Sequence, residues 1–231
     1  MTWLTPGGGA AALLVGASVW LGLGWRGFIP LFFFLLSGSL LTRLATGTSP
    51  SRTARQVLAN GGIAAAAALF GRWPELAGAL AAAAADTWAT EIGAFSPAPP
   101  RLITTGASVP AGRSGGITPL GTAGGLAGAA AIAVLSALVA PALGWRAAAI
   151  VAAAGSLGMF TDSLLGATLQ AGYACPVCGM ISDQPGDRHG HEPGRLVRGV
   201  RWLDNDLVNV AGSLVGALLA RLGTAALVPG S

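Results

Sequence analysis

Seven long runs of apolar residues, none with the charged outer face of a water-soluble helix, set the limits on what this chain can fold into. They fall at about 8–25, 28–45, 55–71, 75–95, 116–140, 146–170 and 205–228. The third, opening RQVLANGG, is the weakest because it is short. Only 10% of the residues are charged, where a soluble domain carries about a quarter. A water-soluble fold is therefore excluded in favour of an all-α, polytopic transmembrane bundle of about seven spans, one integral membrane domain over residues 1–231. Small residues crowd the later segments, and Gly121, Gly125 and Gly128 suit close packing of helix on helix.

Charge supplies the orientation. All 13 basic residues are arginine, and the net charge of +4 is not read as a nucleic-acid signal. With seven spans the connections alternate sides. Arg43, Arg52, Arg55, Arg101, Arg113, Arg188, Arg195, Arg198 and Arg201 fall on one side, and Arg26, Arg72, Arg146 and Arg221 on the other. The richer side is the cytoplasmic one by the positive-inside rule, which puts the N-terminus inside and the C-terminus outside a cell membrane. The first residues lack the charged, apolar and small-residue pattern of a cleaved signal peptide. Two cysteines in a single CxxC argue against a disulfide framework.

Of nine acidic residues, five sit in three clusters at the ends of apolar segments: Asp86 and Glu91 in DTWATE, Asp162 in DSLLGATLQ, and Asp204 and Asp206 in DNDLVN. An unpaired carboxylate at membrane depth costs several kcal/mol, so acid placed there points to a site. On the alternating map, segments four and six end, and segments three, five and seven begin, on the cytoplasmic side. Asn60, Asp86, Glu91, Asp162, Ser163, Gln170, Asp204, Asn205, Asp206 and Asn209 thus reach one level. On an ideal helix Asp86 and Glu91 point about 140° apart, so one can line a site while the other meets a neighbouring helix. Asp162, Gly166 and Gln170 form a stripe at four-residue spacing, with the glycine open to close approach. Carboxylate and amide oxygens are hard ligands suited to Mg²⁺. The competing reading is hydrogen bonding between helices.

The loop from Pro99 to Gly121 brings together Arg101, Thr104, Thr105, Arg113, Ser114, Gly115 and Gly116, directly before a helix. A glycine turn there offers backbone N–H groups and a favourable dipole to a phosphate, and arginine adds planar donors. A second loop, residues 172–202 before the last helix, carries Cys175 and Cys178 and then His189 and His191, a donor set for a structural Zn²⁺. Arg195, Arg198 and Arg201 beyond it suit headgroups or a nucleotide, or a plain membrane-surface anchor.

Six stretches together resemble one family: QVLANGG (56–62), ADTWATEIG (85–93), PRLITTG (100–106), SGG (114–116), GSLGMFTDSLLGATLQ (155–170) and LDNDLVN (203–209). It is the integral membrane family of transmembrane protein 19 and the plant chloroplast phytyl-phosphate kinase, long described only as a domain of unknown function. The CPVCG segment also looks like a loop of bacterial members. The resemblance implies a CTP-dependent kinase that converts a prenyl monophosphate to the diphosphate. On that reading Asp86, Glu91 and Asp162 are catalytic. With Asp204 and Asp206 they are also candidate Mg²⁺ ligands. Asn60, Arg101, Thr104, Thr105, Arg113, Ser114, Gly115, Gly116, Ser163, Gln170, Asn205 and Asn209 would serve the nucleotide and phosphates. The chain has no GxxxxGK[ST] and no lysine, so arginine and backbone must cradle the nucleotide. The expected partners are the bilayer, the prenyl phosphate and a nucleoside triphosphate, with no nucleic acid and with a homodimer left open. Two other readings stand beside it. One is a transporter or flippase for lipid phosphates, which predicts polar residues on both faces and an internal repeat. The other is a scaffold membrane protein with a zinc-stabilised loop.

Overall fold

The structure, a computed structural model, describes residues 4–48, 51–183, 185–186 and 194–227. These residues are mostly helical and form six α-helices. The first, α1 (Pro6–Thr46), starts under the side chain of Thr5, which accepts a hydrogen bond from the Gly8 N–H. At Gly24 the backbone leaves the helix, with φ 64° and ψ −161°, a conformation open to glycine at little cost. The two arms then lie side by side. A straight helix would set Gly8 and Gly38 about 45 Å apart, yet the Arg52 carbonyl abuts Gly8 and the Arg52 guanidinium abuts Gly38. Two of the apolar segments are therefore arms of one helical element. A single glycine makes the turn, and no polar loop marks it in the sequence.

Helix α2 (Ala54–Leu69) opens with a reciprocal cap between Thr53 and Gln56 and runs along the first arm of α1, with Gly61 against Val15 and Gly22 against Ala68. Its 16 residues reach about 24 Å, less than the apolar thickness of a bilayer. Helix α3 (Trp73–Gly93) is the axis of the bundle, buried continuously from Glu75 to Ala85. Alanine and glycine make that burial workable, because neighbouring backbones come within touching distance. A Cβ on Gly78 would collide with the Gly216 carbonyl. Helix α4 (Pro119–Val139) packs its Gly121–Gly125–Gly128 stripe on α3, where added Cβ atoms would lie 2.6 Å from the Ala89 carbonyl oxygen and 2.9 Å from those of Ala85 and Ala84. A 3-10 turn (Pro141–Leu143) leads into α5 (Gly144–Thr168), and α6 (Asn205–Ala225) closes the bundle.

Among the described residues, four stretches are long and apolar enough to cross a membrane: Pro6–Thr46, Pro119–Val139, Pro141–Thr168 and Asn205–Ala225. Their outer faces carry large apolar side chains, Leu21 at 80% and Leu222 at 66% exposure among them, as lipid contact requires.

The all-α expectation holds for the bundle but not for its loops. Strands β1 (Arg101–Leu102) and β2 (Gly116–Ile117) pair antiparallel, and β3 (Gly172–Ala174), β4 (Ile181–Ser182) and β5 (Arg195–Arg198) form a sheet in the order β4-β3-β5. These loops fold onto one end of the bundle, where buried backbone groups must find partners. That end gathers the starts of α1, α2, α4 and α6 and the ends of α3 and α5; it is called the polar end below.

Candidate functional site

Asp86 follows the buried alanine run of α3, and Asp162 stands on α5, which runs parallel to α3. Their carboxyl groups adjoin within hydrogen-bonding reach of each other. With its amide turned so that nitrogen faces the carboxylate, Asn209 on α6 donates to Asp162 Oδ2 at 2.9 Å. Asn60 on α2 donates its amide N–H to Gln56 O (3.0 Å), which leaves its side-chain oxygen for the site. Asn60, Asp86, Asp162, Asn209 and Ser213 line a pocket of about 10 Å³, room for about one water molecule. Two touching carboxylates repel each other unless a shared proton or a bound cation lies between them.

The same two aspartates line a second, larger cavity of about 540 Å³ that extends to the polar end. Its walls include Glu91, Arg113, Ser114, Gly115, Gly116, Ser163, Asn205 and Asp183, and its apolar lining includes Met159, Phe160 and Ile117. Glu91 turns toward α1, where Thr42 Oγ1 donates to Glu91 Oε1 at 2.6 Å. Arg52 lies near enough to Glu91 to feel its charge. Burial pushes the Arg52 guanidinium below its usual pKa range, and Glu91 opposes that shift.

The five acids do not converge as one ligand set. Arg55 pairs with Asp204 at 2.5 Å and with Asp206 at 3.2 Å, and Asp204 also caps α6 by accepting from the Leu207 N–H (3.2 Å). Neither residue lines either pocket. Among the described residues, no three His, Cys, Asp or Glu side chains cluster closely enough to hold a metal. The metal-binding potential lies in two carboxylates plus amide and hydroxyl groups. Helical spacing fixed which face each acid occupies, but not that Arg55 would meet two of them.

The glycine loop is tied down more firmly than its composition suggests. Gly115, with φ 79°, presses on α5, where a Cβ would lie 2.5 Å from Ala167. The approach that Gly166 permits is that of this Ser114–Gly115 turn. Gln170, 1% exposed, donates to Ser114 Oγ at 3.1 Å, so it holds the turn and does not face the cavity. The glycine pair does not open the helix directly. Ile117 and Thr118 intervene, and Thr118 Oγ1 accepts the Gly121 N–H at 2.9 Å. Arg101 donates to Gly106 O (2.9 Å), Thr104 and Thr105 are exposed, and none of the three lines the cavity.

Cys175 and Cys178 sit in the turn between β3 and β4. The Cys175 N–H donates to Met180 O and the Gly179 N–H to Cys175 O, both at 2.9 Å. Cys175 is buried and Cys178 exposed. His189 and His191 lie outside the described residues. Thr42, Arg52, Arg55, Asp183, Arg198 and Ser213 went unread in the sequence as site residues or as partners of them, apart from a loose headgroup or nucleotide reading for Arg198. Ser114 and Asp183, for example, are 69 residues apart and meet only through the folded loops.

A bundle of lipid-faced helices with an acid pair at depth and an arginine-bearing loop over it defines a multi-pass integral membrane protein with a polar site at one end. The chain belongs to the family of integral membrane proteins DUF92, which matches residues 1–217. It is 32% identical to Protein PGR of Arabidopsis thaliana over 60% of this chain and 50% of that protein, so it spans half the length of that relative. It is also 28% identical to an uncharacterized membrane protein of Synechocystis (94% of this chain, 81% of the relative). An uncharacterized membrane protein of Methanocaldococcus jannaschii is 33% identical (86% and 76%). No solved structure matches the chain.

Proposed function

We propose that this protein is a membrane-embedded, CTP-dependent kinase that converts a prenyl monophosphate, phytyl-like, to the prenyl diphosphate. The observation that carries this reading is the shared lining of the two pockets. Asp86 and Asp162 floor a cavity whose walls hold Arg113 and the Ser114–Gly116 turn on one side and Met159, Phe160 and Ile117 on another. Such a cavity suits a substrate with an apolar tail and a phosphate head. Counting the two arms of α1 separately gives seven helical segments, and the seven-span reading puts the polar end on the arginine-rich, cytoplasmic side of the cell membrane.

The transfer is a displacement at phosphorus. An oxygen of the prenyl phosphate bonds to the terminal phosphorus of CTP, the bond to the bridging oxygen breaks, and CDP leaves. The attacking oxygen is already negative, so no strong general base is required. Arg113 and the backbone of the glycine turn offset the phosphate charge where the two substrates meet. Glu91, held by Thr42 and facing Arg52, lines the wall between α1 and α3. The adjoining Asp86 and Asp162 fit Mg²⁺, a hard ion that takes one or two carboxylates and completes its shell with water and substrate phosphate. When bound, Mg²⁺ would supply charge neutralisation between the phosphoryl oxygens. In the same reading Cys175 and Cys178, with His189 and His191, would hold a structural Zn²⁺, which would tie down the loop.

The test is to incubate the purified protein with CTP, Mg²⁺ and phytyl or geranylgeranyl phosphate. CDP and the prenyl diphosphate are the expected products. No diphosphate with any nucleoside triphosphate would overturn the reading and favour a lipid-phosphate flippase.

A further inference from the structure

Arg198, on β5, reaches under the polar end. Its side chain is 14% exposed, and its Nη2 stands 3.8 Å from Asp183 Oδ1, too far for a hydrogen bond. Its Nη1 donates to Gly166 O at 2.6 Å, while Nε and Nη2 are buried without a hydrogen-bond partner. Arg113 Nε is buried and unpartnered as well. The two guanidinium groups are near enough to repel. Burial, then Arg113, pushes the Arg198 pKa below its usual range, and Asp183 opposes the shift. Asp183 is the acid at this point. Ser114 Oγ hydrogen-bonds Asp183 Oδ2, and Asp183 and Arg113 both face the large cavity.

Arg198 and Ser114 thus meet one carboxylate, Arg113 lines the same cavity, and three nitrogens of the two guanidinium groups are buried without a hydrogen-bond partner. Buried unsatisfied donors are rare in folded proteins and call for a reason. A carboxylate carries one charge and two oxygens. A phosphate group brings up to two charges and three free oxygens, and it matches the planar fork of arginine.

We propose that Arg113, Arg198 and Ser114 form a phosphate-binding subsite, and that Asp183 is its internal occupant, displaced when the phosphate of a substrate enters. This rests on the kinase reading for the identity of the substrates, but not for the anion chemistry. Asp183 directly follows β4 and Arg198 ends β5, so displacement would also register substrate arrival in that loop.

The experiment measures equilibrium binding of CTP, geranylgeranyl phosphate and inorganic phosphate to the full chain in detergent, without turnover. Asp183→Asn removes the competing charge and keeps the shape, and it should tighten at least one probe about 3- to 10-fold. Arg198→Lys keeps a charge but loses the fork and should weaken the same probe about 10-fold. The probe that responds distinguishes nucleotide from lipid phosphate. A response to inorganic phosphate alone still supports the subsite. Asp183→Asn binding all three probes as wild type does, or more weakly, would overturn the assignment. Binding without diphosphate formation would instead defeat the kinase reading and leave the subsite standing.

Discussion

Helix α3 carries one carboxylate in its first turn, Glu75, and another past its midpoint, Asp86, and the two are treated in opposite ways. Glu75, at the end away from the site, is 9% exposed and has Arg72 and Arg221 at 4.0 and 3.7 Å. The chain itself neutralises that charge. Asp86, three turns along the same helix, finds another acid, Asp162, as its neighbour. No arginine pairs with it among the described residues. One arrangement is a structural tie between α3 and α6, and the other is the cation site of the proposed reading.

Substitutions should separate the two ends, and the largest effect falls on the acid pair. Asp162→Asn or Asp86→Asn should lower diphosphate formation about 1000-fold or more, as losing a transition-state electrostatic partner does. Melting in detergent should leave either variant at or above the wild-type Tm, because a like-charge contact has been removed. Glu75→Gln should do the reverse. It should cost on the order of 1 kcal/mol, discounted because both arginines are half exposed, and lower Tm while turnover per folded molecule stays within about twofold.

Arg55→Ala is intermediate. It strips the partner from Asp204 and Asp206 at the start of α6, and turnover should fall only about 2- to 5-fold, in keeping with an exposed pair. Hydrogen exchange at residues 205–209 should rise. If Asp204 and Asp206 were metal ligands, losing Arg55 would leave exchange there low and metal affinity higher. Arg101→Ala should be smallest, within about twofold of wild type, because its guanidinium is committed to Gly106 O outside the cavity.

Much of this contrast is legible in the sequence. The apolar runs locate the helices to within a few residues, since burial in lipid demands unbroken backbone pairing. The glycine stripe of α4 and the open face at Gly166 are readable from spacing alone. Asp86 and Glu91 diverge as the helical period requires, one toward α5 and the other toward α1. What spacing cannot supply is the partner across a tertiary contact. Arg55 follows an ordinary loop yet meets Asp204 and Asp206, and Asp183 sits between the cysteines and histidines of the 172–202 loop, with nothing in its spacing to tie it to Ser114. The hairpin at Gly24 is hidden for another reason. A single residue in a left-handed conformation reverses the chain without the polar stretch that marks other turns.

The most direct measurement is Mn²⁺ titration, followed by electron paramagnetic resonance, of wild type, Asp162→Asn and Glu75→Gln in detergent. Wild type and Glu75→Gln should bind one ion with equal affinity, and Asp162→Asn should weaken it by about 30-fold or more, roughly 2 kcal/mol. Equal binding by Asp162→Asn, or an equal loss in Glu75→Gln, would contradict a cation site at the Asp86–Asp162 pair.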